Sequence, residues 1–312
     1  MISKKSRIFI AGHNGMVGSA ILKKFKLKGY RNIITVNKKK LNLKDQKKVK
    51  NFILRIKPEL VIIAAAKVGG IFANEKFKGD YIHDNLVIQT NLIESSRAAG
   101  VKNLIFLGSS CVYPKFSKQP IKEDYLFSGK LEQTNDAYAV AKLAGYQMCK
   151  AYNEQFGTNY ITLMPTNIYG PGDNYDSLNS HFFSALLKKI YFAKQRNKKK
   201  IEIWGDGKAK RELLFVDDIA DACEFFSRKK VKYDLINIGS GIDYSIEYYA
   251  KFIMKKLKIK LKIKKNLKYK NGTPRKLLNS NLAKKLGWSS KTNLNDGFQE
   301  TFKDFQRSIS IN

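Results

Sequence analysis

Tyr138 and Lys142 stand four residues apart in a stretch that predicts a helix from just after Asn135 to Phe156, so their side chains share one face. An ammonium beside a phenol favours the phenolate, and such a pair offers a proton donor and acceptor suited to interconverting a carbonyl and an alcohol. That spacing also occurs by chance in many helices. Ser109 and Ser110 narrow the choice, because they directly follow a predicted strand, Asn103 to Leu107. Open α/β sheets bind ligands at that strand edge, where a hydroxyl can bond the same carbonyl oxygen.

A second constellation lies near the N-terminus. Gly12-His13-Asn14-Gly15-Met16-Val17-Gly18 follows the apolar run Ile8 to Ala11 and opens the helical periodicity of Met16 to Lys28. Bare backbone there turns tightly, approaches a pyrophosphate and lets the helix pack closely, which predicts a dinucleotide site. After the next strand, Ile33 to Val36, an NAD site needs an acid for the ribose hydroxyl, but this chain has Asn37, Lys38, Lys39 and Lys40. The lysines suit the extra phosphate of NADP(H), the expected cofactor; the competing explanation is a solvated turn.

These residues need a scaffold, and the chain supplies alternating elements. Helices at Asp45 to Ile56 and Tyr81 to Ala99 and strands at Leu60 to Ala64 and Tyr160 to Met164 continue the pattern. Strict alternation predicts an α/β fold, a doubly wound parallel sheet of Rossmann type with right-handed crossovers. The character changes near Pro171. Strands at Ile201 to Trp204 and Leu235 to Ile238, with helices near Ser180 to Ala193, Ser245 to Leu257 and Leu294 to Gln306, predict a smaller interleaved α/β substrate lobe. The expected division is residues 1–170 for the nucleotide, with a strand and helix around 212–240 returning to it, and 171–312 mainly for the substrate.

With 312 residues, 43% hydrophobic and 12% aromatic, the chain can bury a sizeable core, which excludes disorder as the dominant state. Its longest apolar runs fall far short of the roughly 20 residues of a membrane span, and the N-terminus lacks the apolar region of a signal peptide. Cys111, Cys149 and Cys223 are too widely spaced for a disulfide framework, so a reducing cytoplasm is expected. The 59 Lys and Arg against 26 Asp and Glu give a formal charge of +33, which raises nucleic acid as a partner. The excess is mostly lysine spread along the chain, with no readable nucleic-acid module, and reads as solvated surface; no nucleic-acid partner is expected. Asp217-Asp218 reads as an acidic helix N-terminus, and no metal site is expected.

The chain resembles the extended short-chain dehydrogenase/reductase family almost from end to end. The resemblance rests on the glycine loop, Ala65-Ala66-Lys67-Val68-Gly69-Gly70-Ile71, Gly108-Ser109-Ser110-Cys111-Val112-Tyr113-Pro114, Pro165-Thr166-Asn167-Ile168-Tyr169-Gly170-Pro171 and Gly272-Thr273-Pro274-Arg275-Lys276. Within that family the second and third stretches resemble the branch that epimerises GDP-4-keto-6-deoxy-D-mannose at C3 and C5 and reduces it at C4 with NADPH. The resemblance implies Cys111 and His181 as the epimerising acid/base pair, Ser109, Tyr138 and Lys142 for reduction, and Lys189, Trp204, Arg211 and Asn279 for the substrate. It also implies cofactor contacts from Leu107, Gly108, Ser109, Ser110, Lys142, Pro165, Thr166, Asn167, Ile168 and His181, and a homodimer.

The chemistry of these residue types is compatible with those roles. A 4-keto group acidifies the protons at C3 and C5 through an enolate, and a thiolate or imidazole titrates close enough to neutrality to move them. A lone Cys after a strand is otherwise a small buried hydrophobe, a lone His a structural one, Arg211 a loop charge and Trp204 a core anchor. Asn14 stands where the family often has Arg, Asn279 where Asp is frequent, and Phe182-Phe183-Ser184 where a Pro is usual. The alternatives are a nucleotide-sugar 4-epimerase or dehydratase that retains NAD, which has no need of a Cys111/His181 pair, and a basic nucleic-acid binder with a vestigial nucleotide site.

Overall fold

The computed structural model describes residues 2–175, 180–269 and 272–310. Its first half runs β1 (Ile8–Ala11), α1 (Met16–Leu27), β2 (Ile33–Ile34), α2 (Gln46–Ile56), β3 (Leu60–Ile63), α3 (Ile71–Lys76), α4 (Lys78–Ala98), β4 (Asn103–Leu107), α5 (Asp136–Phe156) and β5 (Asn159–Pro165). Every residue of β1 and β3 is buried, because each strand is covered on both faces. Within β1, Ile8 and Ile10 enter the core shared with Ile21 and Phe25 of α1, whereas Phe9 and Ala11 enter the opposite core with Ile53 of α2 and Leu92 of α4. A strand's two-residue period therefore divides one apolar run between two cores.

The second half runs β6 (Asn167–Tyr169), α6 (Phe182–Gln195), β7 (Lys200–Trp204), β8 (Lys210–Phe215), α7 (Val216–Ser227), β9 (Leu235–Ile238), β10 (Asp243–Ser245), α8 (Ile246–Lys256), β11 (Lys262–Asn266), β12 (Arg275–Lys276), α9 (Asn281–Lys285) and α10 (Leu294–Ser310). The central sheet has the order β2-β1-β3-β4-β5-β9, with all five pairings parallel. Its order reverses between β1 and β3, so the glycine loop lies at a topological switch point. Around β8 a smaller sheet gathers β6, β10 and β12, and β7 pairs separately with β11.

The end of the second strand differs from the expectation. The second strand stops at Ile34, since it is an edge strand with β1 alone to pair against and the chain then turns, the Asn37 carbonyl accepting from the N–H groups of Lys40 and Leu41 at 3.0 Å each. Leu235–Ile238 belongs to the central sheet, its four residues all buried. α7 lies back against α1 through Lys24 to Asp221, 2.5 Å, and through Glu224, which accepts from the Tyr30 hydroxyl at 3.0 Å. Asp217 and Asp218 do occupy the first turn of α7, but the buried Asp218 carboxylate accepts from the N–H groups of Lys291 and Thr292, 3.1 Å each, tying down the segment before α10.

Candidate active site

Parallel pairing brings the C-terminal ends of β1, β3, β4 and β5 to one edge, and the loops that follow carry Gly12 to Gly18, Ala65 to Gly70, Gly108 to Cys111 and Thr166 to Ile168. Gly12 has φ +90°, and a Cβ there would lie 2.6 Å from the Ala65 backbone nitrogen; one at Gly18 would overlap the Gly12 carbonyl. At Gly15 the space is open apart from that same carbonyl at 3.6 Å. Gly15 is the N-cap of α1, which receives no side-chain cap and has no acid in its first turn. Close packing at Gly12 and Gly18 with uncapped N–H groups beside an open Gly15 fits the diphosphate of a dinucleotide. Lys38, Lys39 and Lys40 form an exposed turn just past β2, on the edge where the extra phosphate of NADP would sit.

At the end of β4 the chain makes one tight 3₁₀ turn, Ser110–Val112, whose N-cap is Ser109. The Ser109 hydroxyl accepts from the Cys111 N–H at 3.3 Å and also bonds the Tyr138 phenol of α5, so Ser109, Cys111 and Tyr138 form one cluster. Two N–H donors converge on the Cys111 sulfur: Asn135 Nδ2 at 3.2 Å and Lys276 Nζ at 3.5 Å. Burial pushes the thiol up, but the Lys276 ammonium, the Ser109 hydroxyl and the Arg211 guanidinium outweigh it and leave Cys111 below the ordinary thiol value. Tyr138 moves the opposite way, raised by burial and by the neighbouring sulfur and pulled back only in part by Ser109. Environments that separate two proton affinities in this way suit one group to accept a proton and the other to donate one.

This corrects the expected Tyr138–Lys142 couple. The two side chains do share a face of α5, but the Lys142 ammonium lies 6.0 Å from the Tyr138 ring centre, donates to the Leu107 carbonyl at 2.8 Å and sits 4.7 Å from the Phe106 ring centre. Burial without a carboxylate partner pushes Lys142 down to about 7, and the phenol is raised rather than lowered.

His181 is the N-cap of α6 and gives that helix no side-chain cap. It lies beside Asp173, whose carboxyl is pushed up by burial and drawn back in part by His181 and by the Ser184 hydroxyl. A Cβ at Gly70 would lie 2.7 Å from the Ser180 carbonyl, so the glycine pair after β3 lets the segment just before His181 approach that loop. Arg211, on β8, donates to the carbonyls of Thr273, 2.6 Å, and Lys210, 2.8 Å. Thr166 and Asn167 both donate to the Glu212 carbonyl, at 3.2 and 3.0 Å, joining the end of β5 to β8. Lys189 donates to the Glu202 carbonyl at 2.7 Å, and Trp204 stacks on Tyr269 with ring centres 4.3 Å apart. Asn279 faces elsewhere. It lines a groove of about 610 Å³ with Lys122, Tyr146 and Lys285, and its side chain accepts from the Asn281 N–H at 3.0 Å.

Reasoning from the sequence missed Asn135 and Lys276. Asn at the residue before a helix is a capping signal, and only the observation that its side chain leaves the helix for Cys111 gives it a different use. Lys276 closes the last quoted motif, but nothing along the chain connects it to Cys111, 165 residues away.

A model of the NAD dependent epimerase/dehydratase family matches residues 8–239. The chain belongs to this family. GDP-L-fucose synthase 1 of Arabidopsis thaliana is 43% identical over 309 residues, spanning 99% of this chain and 96% of that protein. GDP-L-fucose synthase of Escherichia coli K12 is 40% identical over 310 residues, spanning 96% and 97%. Among solved structures, a GDP-mannoheptose C4 reductase from Campylobacter jejuni with NADP bound superposes with a TM-score of 0.88 at 34% identity, covering 98% of this chain and all of that one.

Proposed function

We propose that this protein converts GDP-4-keto-6-deoxy-D-mannose to GDP-L-fucose, epimerising C3 and C5 and then reducing C4 with NADPH. The observation that carries the reading is the split at the end of β4: a Cys111 thiol drawn down and a Tyr138 phenol pushed up, with the Ser109 hydroxyl, which accepts from the Cys111 N–H, acting on both. The near full-length similarity to GDP-L-fucose synthases supports the substrate.

In this reading Cys111 takes the proton from the carbon beside the ketone, and the electron pair of that C–H bond moves onto the C4 oxygen, where Ser109 and Tyr138 donate hydrogen bonds. His181 returns a proton to the opposite face. When bound, NADPH supplies the hydride that C4 receives. Tyr138, held protonated at neutral pH, then gives its proton to the C4 oxygen. We assign residues 1–170 and β9 mainly to the nucleotide and 171–312 mainly to the sugar, with Arg211 beside the sugar end. The reading includes a cytoplasmic homodimer that covers the exposed Val140 and Phe156 of α5, which sedimentation velocity tests.

Incubation with GDP-4-keto-6-deoxy-D-mannose and NADPH in D₂O, followed by NMR, tests the whole reading. GDP-L-fucose carrying deuterium at C3 and C5 is expected. Reduction without exchange would make the protein a C4 reductase, like the Campylobacter jejuni relative, and turnover with bound NAD and no consumption of NADPH would make it a 4-epimerase or dehydratase.

A further inference from the structure

Lys276 is a buried cation that takes no part in the steps proposed above. It is 8% exposed, lies opposite Arg211 in the register of β8 and β12, and directs its ammonium at the Cys111 sulfur. The nearby acids are engaged elsewhere: Asp243 pairs with Arg275 at 2.7 Å, Glu132 with Lys115 at 2.8 Å, and Glu212 accepts from the N–H groups of Leu278 and Gly241. A buried ammonium is costly unless an anion faces it. Asn135 supplies an independent observation, since it sits at the N-cap of α5 yet spends its Nδ2 on the same sulfur. A neutral thiol is a weak acceptor, whereas a thiolate accepts from both donors.

We propose that Lys276, by its charge, and Asn135, by direction, hold the Cys111 sulfur as a thiolate in the resting protein, making Lys276 a positioning residue for the base of the epimerisation. The assignment to epimerisation rests on the function proposed above; the thiolate does not. The groups that face the sulfur are Ser109 on its own turn, Asn135 before α5, Tyr138 on α5, Arg211 on β8 and Lys276 on β12. Of these Lys276 and Arg211 carry charge, both positive. In the reaction the thiolate forms an S–H bond as the substrate C–H breaks, and the thiol returns its proton to solvent once the carbon has been reprotonated by the acid, so Cys111 re-enters each cycle as a base.

The pH dependence of iodoacetamide alkylation at Cys111, read by mass spectrometry on the full chain without substrate or cofactor, tests this directly; Cys149 and Cys223 are fully buried and do not compete. The wild-type midpoint is expected below the free-cysteine value of about 8.5. Lys276→Met should raise it by about one unit or more, equivalent to about tenfold less thiolate at a fixed pH below the midpoint, and Lys276→Arg should restore it. An unchanged midpoint in a folded Lys276→Met protein overturns the proposal. So does a wild-type midpoint at or above about 8.5, which needs no variant to fold. Solvent exchange at C3 and C5 separates the two readings: a low midpoint without exchange removes the proposed function and keeps the thiolate, while exchange with an ordinary midpoint does the reverse.

Discussion

Replacing Lys142 by Met should make the cofactor-free protein more stable at neutral pH while abolishing reduction. Lys142 is 3% exposed, has the Leu107 carbonyl as its hydrogen-bond partner, and is pushed by burial from 10.5 to about 7. Because the unfolded chain holds that proton more tightly than the folded one, folding is penalised in full below pH 7, and the penalty fades as pH rises from 7 to 10.5. A shift of that size corresponds to roughly 5 kcal/mol. Met removes the penalty but leaves the Leu107 carbonyl unpaired, which costs about 1–3 kcal/mol, so the net gain at pH 6 to 7 is roughly 2–4 kcal/mol. Urea unfolding of both proteins at pH 6, 7, 8.5 and 10 measures the difference. The gain should shrink steadily with pH, reverse between about pH 8.5 and 10, and by about pH 10.5 leave only the lost hydrogen bond. A Lys142→Met protein that is less stable at pH 7, or whose difference from wild type does not change with pH, would refute the argument that the buried ammonium is uncompensated.

Converting Lys38, Lys39 and Lys40 together to Ala should weaken NADPH by about 10- to 5000-fold, taking one charge-assisted contact at about 1.5–3 kcal/mol and two screened ones at up to about 1 kcal/mol each. NADH should change little, and a fluorescence titration showing equal losses for both would remove the lysines from the phosphate site. Tyr138→Phe should cut NADPH oxidation by about 10²- to 10⁴-fold while deuterium exchange at C3 and C5 slows far less, since the thiol removes those protons and Ser109 still donates to the C4 oxygen; parallel loss of both counts against separate roles. Cys111→Ser should preserve the fold and cofactor binding yet slow that exchange, because a hydroxyl is far less acidic than this thiol. Exchange at the wild-type rate, followed by mass spectrometry, would end the case for Cys111 as the base.

The alternation of elements was legible because each helix and strand writes its own period into the chain. The apolar runs of β1, β3 and β4 and the faces of α1, α2 and α5 need only local sterics and burial, and the glycine loop is legible for the same reason, a backbone turn being a local event. Strands of two or three residues, β6, β10 and β12, carry no period and exist only because β8 offers each of them a ladder. The end of β2 at Ile34 likewise depends on its place at the sheet edge. The candidate site divides along the same line. Four-residue spacing establishes that Tyr138 and Lys142 share a side of α5, but not how deep each side chain reaches, and depth sent the Lys142 ammonium to the Leu107 carbonyl instead of the phenol. Proton affinities depend on burial and on charges a few ångströms away, and those distances are settled by chain segments far apart in sequence. The sequence by itself therefore determined which residues could do chemistry and which edge of the sheet would carry them. Only the tertiary structure, by pairing β12 with β8 and bringing Lys276 beside Cys111, decided which proton affinities fall and which rise.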